Sequence, residues 1–154
     1  MTRLVIVAHE PLAASLQAVA RHVYPDCGVH LAAVDVPPGA GLAEAEAAVR
    51  KALAPALEAG DDVLVLVDVF GATPCNAAMA VADGVRVRVV AGVNVPMLWR
   101  TLCYASQPLD ELVGRAVAGA TQGVMQLGAA RRQNQGGPVG QGPANDQVQH
   151  HHQQ

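Results

Sequence analysis

An α/β fold built on a doubly wound, mainly parallel four-stranded sheet, with helices on both faces, is the architecture the sequence predicts. Three observations predict it. Apolar runs with strand character alternate with stretches of helical period along the chain. The run "DVLVLV", residues 62–67, shows no polar alternation, so both of its faces are covered. The length, 154 residues, suits one domain with a well-formed core.

The elements follow in order. "LVIVAH" opens the chain as a buried strand that ends on His9. Leu12, Leu16, Val19 and Val23 then recur at spacings of four, three and four, which predicts one apolar helical face. "YPDCG" ends that helix, and "VHLAAV", 29–34, is the second strand candidate. "PPGAG" releases the chain into a helix from Leu42 to Glu58, which Pro55 is expected to bend late. After strand 62–67, which ends at Asp68, a short helix is predicted over Pro74–Ala82. "VRVRVVAGV", 85–93, reads as a strand starting near a sheet edge, with Arg86 and Arg88 pointing outward. Two helices complete the pattern, Pro96–Tyr104 and Leu109–Leu127, the second carried by Leu112, Val113, Ala116, Val117, Ala120, Val124 and Leu127. Strand, helix, strand, helix throughout implies a parallel sheet, here in the common order 2-1-3-4. The domain is placed at residues 1–130. Residues 131–154, rich in Gln, Gly, Asn and Pro, are expected to form a disordered tail. No internal repeat is evident.

Composition narrows the function classes. A net charge of −3 supplies no basic footprint for nucleic acid or a membrane surface. No run has the length of a transmembrane helix, and nothing at the start reads as a signal peptide. Cys27, Cys75 and Cys103 fall in no zinc or redox spacing, which suits a reducing compartment, and the protein is read as cytoplasmic. The His150, His151, His152 tract is read as low complexity rather than as a metal site.

In an open parallel sheet, ligands bind beyond the carboxyl ends of the strands where the strand order reverses. His9 and Asp68 both end strands there, and the 2-1-3-4 order would put them side by side. A ring nitrogen of His9 donating to Asp68 would leave its other nitrogen unprotonated and nucleophilic. The plainer alternative is that His9 ends a strand and Asp68 begins a turn. "DVFGATPCNAA" adds a helix start, with Thr73 as N-cap and Pro74 at the first helical position. Gly71 would let the backbone turn sharply. The loop Gly71, Ala72, Thr73, Cys75 and Asn76 is thus a candidate cradle for a phosphoryl group, through first-turn amides and the Thr73 hydroxyl. A Cys75 thiolate would also be stabilised at such a helix start, although a small buried apolar role suits it better. His22 and Asp26 share a predicted helical face and His30 lies in a predicted strand, all three read as surface or core residues. Glu44, Glu46 and Glu58 read as a solvated face. No nucleotide-binding glycine loop is present, and neither cofactor nor metal is expected.

Through "LVIVAH", "LVLVDVFGATPCNAA" and "VVAGVNVPMLWRTL" the chain resembles the mannose-type EIIA family of the bacterial phosphoenolpyruvate-dependent sugar phosphotransferase system, over roughly residues 1–128. The resemblance implies that His9 accepts a phosphoryl group from the small carrier HPr and passes it on. It also implies that Asp68 orients His9 and that the Thr73 hydroxyl lies near the phosphoryl group. It implies a homodimer that exchanges an antiparallel edge strand, and an EIIB-type protein or a regulatory target as acceptor. Where many members have a glycine after the histidine, this chain has Glu10 and Pro11, which adds a negative charge beside a dianion. A phosphotransfer subunit serving dihydroxyacetone kinase is a related alternative. Two others are a regulatory module read out by its phosphorylation state and a small-molecule binding domain at the same switch point.

Overall fold

The computed structural model describes residues 1–26 and 30–128. The expected tail, Cys27 and the His150–His152 tract lie outside the described residues. Four strands form one parallel sheet: β1 (Thr2–His9), β2 (Leu31–Val36), β3 (Asp62–Val67) and β4 (Val87–Ala91). Their order is β2-β1-β3-β4, as the sequence predicts, with β4 on an edge. Five helices connect and cover them: α1 (Leu12–Val23), α2 (Leu42–Glu58), α3 (Thr73–Val81), α4 (Val95–Cys103) and α5 (Leu109–Gln122). No fifth strand occurs among the described residues of this single chain.

Strand side chains alternate between faces, so the unbroken apolar runs of β1 and β3 feed two cores at once. Leu4, Ile6, Ala8, Leu64 and Leu66 pack under α1, α4 and α5. Val5, Val7, Val63, Val65 and Val67 pack under α2 and α3. The pairing of Val7 with Val67 across β1 and β3 brings the ends of these strands level. His9 and Asp68 therefore leave the sheet at the same rim.

Five local expectations are corrected by tertiary packing. On α1 the buried face is Ala13, Leu16 and Ala20, while Leu12, Val19 and Val23 are exposed. The small alanines let the helix approach the sheet closely, and hydrophobicity alone ranks them below valine. Asp26 lies beyond the end of α1 and shares no helical face with His22. Strand β2 starts at Leu31 and runs through Asp35, so His30 is an exposed residue ahead of it. Strand β4 starts late because the Asp83 carboxylate accepts the amides of Val85, Arg86 and Val87 in a tight turn. Arg86 precedes the strand and reaches the Asp61 carbonyl, and Arg88 pairs with Asp110. Helix α5 stops at Gln122, and Val124 and Leu127 are exposed beyond it. A Cβ at Gly123 would lie 2.4 Å from Pro96, so glycine is what allows the end of α5 to sit against the start of α4.

The helix starts at the rim differ in what they hold. Asp35 accepts the Ala13 amide at 2.9 Å and the Ala14 amide at 3.3 Å, so a strand residue caps α1. The Asn94 side chain accepts the Met97 amide at the start of α4. Helix α3 has no side-chain cap. Asp35→Ala should therefore cost about 1–2 kcal/mol of stability, the scale of a lost helix cap. Urea denaturation would show it, and an unchanged midpoint would contradict the assigned capping role.

Candidate functional site

His9 is the last residue of β1, and Asp68 directly follows β3. The His9 Nδ1 lies 2.6 Å from Asp68 Oδ2, and the His9 amide donates to the same oxygen at 3.0 Å. The Val69 amide donates to Asp68 Oδ1 at 2.9 Å. Burial would raise the Asp68 pKa, but the bonds from the His9 amide, the His9 ring and the Val69 amide outweigh it and hold the carboxyl below its ordinary value. The carboxylate is ionised at neutral pH and takes the Nδ1 proton as its partner. That places the ring's lone pair on Nε2. The His9 side chain is 53% exposed and that of Asp68 11%, so the carboxylate is walled in while the imidazole faces outward.

The segment after Asp68 brings α3 to the same rim. Gly71 has φ +83°, in the left-handed region that glycine adopts without strain, and the chain reverses there. The predicted N-cap is displaced by one residue. Ala72 is extended, and its carbonyl accepts the first intrahelical bond, from the Asn76 amide at 2.9 Å. Thr73 and Pro74 thus take the first two helical positions, and the Thr73 hydroxyl caps nothing. With Pro74 lacking an N–H, the amides of Thr73 and Cys75 have no acceptor within the helix, whereas that of Asn76 is spent. The Cys75 side chain is buried against α2, so its thiol is a core group and only its amide is placed for a ligand.

The arrangement is an exposed imidazole beside a helix start whose positive end carries no acidic cap. His9, Asp68 and the loop 71–76, singled out in the sequence, come together at one rim, whereas the capping residue Asp35 was not among the sequence candidates. The signal for Asp35 was weak: a lone acid inside an apolar strand, with α1 bringing no capping side chain of its own.

The family model EIIA-man, described as the PTS system fructose IIA component, matches residues 3–117. The chain belongs to the EIIA-man family. That membership assigns it, in general terms, to phosphoryl transfer in the phosphotransferase system. The mannose-specific EIIAB component of Escherichia coli K12 is 43% identical over 76 residues, 47% of this chain. The match spans only 24% of that protein's length, so this EIIA-man chain corresponds to a small part of its curated relative. The mannose/sorbose-specific IIA subunit from Enterococcus faecalis is 28% identical with a TM-score of 0.72, covering 84% of this chain and 97% of that one. An EIIA component from Streptococcus agalactiae, at 20% identity, shares the fold with a TM-score of 0.71 over 82% of this chain and 97% of that one. No helix among the described residues of this EIIA-man chain is long and apolar enough to cross a membrane.

Proposed function

We propose that the chain is a cytoplasmic phosphoryl carrier that accepts a phosphoryl group on His9 Nε2 from phospho-HPr and hands it to an EIIB-type protein. The observation that carries this reading is the 2.6 Å contact between His9 Nδ1 and Asp68 on an open rim. The Nε2 lone pair forms the new N–P bond while the N–P bond of the donor histidine breaks, and the donor nitrogen keeps the bonding pair. The Nδ1 proton stays between His9 and Asp68, which stabilises the positive charge that develops on the ring. Positioning and electrostatics supply nearly all of the catalysis in such a transfer. The cradle for the equatorial oxygens is the Thr73 hydroxyl with the amides of Thr73 and Cys75.

A protein partner suits this rim better than an enclosed small molecule. His9 stands exposed, and Leu12, Val69 and Phe70 are exposed beside it, with Phe70 84% accessible. The EIIAB relative carries EIIB in its name, which supports an EIIB-type acceptor here. A homodimer that exchanges an antiparallel edge strand is part of the same reading.

Incubation with phosphoenolpyruvate, enzyme I and HPr should add one acid-labile phosphoryl group per chain. An unlabelled protein would remove the carrier reading. A subsequent chase with an EIIB protein should strip the label; retention would favour a regulatory module whose signal is the phosphorylated state. Thr73→Ala should slow uptake by about 100-fold, the effect of removing one transition-state donor worth on the order of 3 kcal/mol. Stopped-time labelling measures it, and a wild-type rate would remove the hydroxyl from the cradle. Since that hydroxyl caps nothing, the variant should fold normally.

A further inference from the structure

The rim is short of positive charge. Its four loops, residues 9–11, 37–41, 68–72 and 92–94, contain no lysine or arginine, and their acidic residues are Glu10 and Asp68. The first turns of α1, α2, α3 and α4 add Glu44 and no cation. Among the described cations, Arg3, Arg86 and Arg88 are engaged by Asp61, Asp62 and Asp110. Arg21 is in the last turn of α1, Arg50 and Lys51 sit midway along α2, and the other two lie within α4 and α5.

The acids near the rim are not equivalent. The Asp35 charge faces the amides at the start of α1. Asp68 spends both oxygens on three N–H donors. The side chain of Glu10 is exposed and has no hydrogen-bond or ion-pair partner among the described residues. Its backbone is nevertheless fixed, because the Glu10 amide donates to the Val36 carbonyl at 3.0 Å. An uncompensated carboxylate is thereby anchored one residue from the proposed acceptor.

We propose that Glu10 sets the transfer potential of His9, its unpaired carboxylate raising the free energy of the phosphorylated carrier and biasing it toward discharge. This rests on the carrier reading above. The phosphoryl group arrives as a dianion, and although the start of α3 faces it with bare amides, no cationic side chain on the described rim pairs with a third negative charge beside it. Repulsion between a carboxylate and a dianion acting over about one Debye length, roughly 8 Å at physiological salt, shifts such an equilibrium about threefold. The charging step therefore favours a donor that brings its own positive charge to cover Glu10.

The test measures the equilibrium between phospho-HPr and His9 at fixed ratios of charged to uncharged HPr, using the full chain. Glu10→Gln should raise the constant for charging His9 about threefold and Glu10→Lys about tenfold, while Glu10→Asp stays near wild type. In 1 M salt, where the Debye length is about 3 Å, the differences should collapse. A role in folding alone would not order the variants by charge or respond to salt in this way. Equal constants for wild type and Glu10→Gln, with wild type normally labelled, would overturn this inference and leave the carrier reading standing. A wild-type protein that takes no label would remove both.

Discussion

His9→Ala protein should take up no phosphoryl group from phosphoenolpyruvate, enzyme I and HPr, while melting close to wild type. Loss is expected because the Cys75 thiol is in the core, and the Thr73 hydroxyl, unlike the His9 ring, has no hydrogen-bond partner among the described residues to take up its proton. Stability is spared because the imidazole is exposed and packs into neither core. Asp68 keeps its bonds from the backbone amides of residues 9 and 69 in the variant. Radiolabel incorporation with a parallel melting curve measures both effects. Label persisting in the variant would move the acceptor to another residue.

Asp68→Asn should slow transfer by about 10²- to 10⁴-fold, the range for losing the group that orients a catalytic imidazole. Every partner of this carboxylate is a donor: the His9 amide, the His9 ring and the Val69 amide. An amide group must turn its own N–H₂ toward one set of them. If the N–H₂ faces the imidazole, Nδ1 becomes the acceptor and the proton moves to Nε2, which blocks the nucleophile. If it faces Val69, the loop loses a bond and the ring loses the full charge that stabilises its developing cation. Rapid-quench kinetics would give the rate and circular dichroism the fold. A loss under tenfold would mean that Asp68 only shapes the loop.

The fold was legible where packing follows hydrophobicity. Strand β3 and helix α2 occupy the spans expected from their patterns, and the order 2-1-3-4 brings His9 to Asp68 as anticipated. It was illegible where size or a distant partner decides. Ala13 and Ala20 outcompete Val19 and Val23 for the sheet because a helix packed close needs small side chains. The end of α5 is set by Gly123 against Pro96, a contact between segments far apart in the chain that no local period encodes. Asp35 looked like an interruption to a strand, and its purpose becomes visible only once the amides of Ala13 and Ala14 are beside it. Thr73 carried a helix-start signal that was right about the place and one residue off about the cap.

Which ring nitrogen of His9 is left to react decides the chemistry of the rim. Nitrogen-15 labelling of the histidines, followed by two-dimensional NMR of the phosphorylated protein, reads this directly from phosphorus coupling and ring-nitrogen shifts. The geometry predicts a phosphoryl group on Nε2, with Nδ1 still protonated toward Asp68. A phosphoryl group on Nδ1 would contradict it, because that nitrogen could not then hold the 2.6 Å contact on which the site is built.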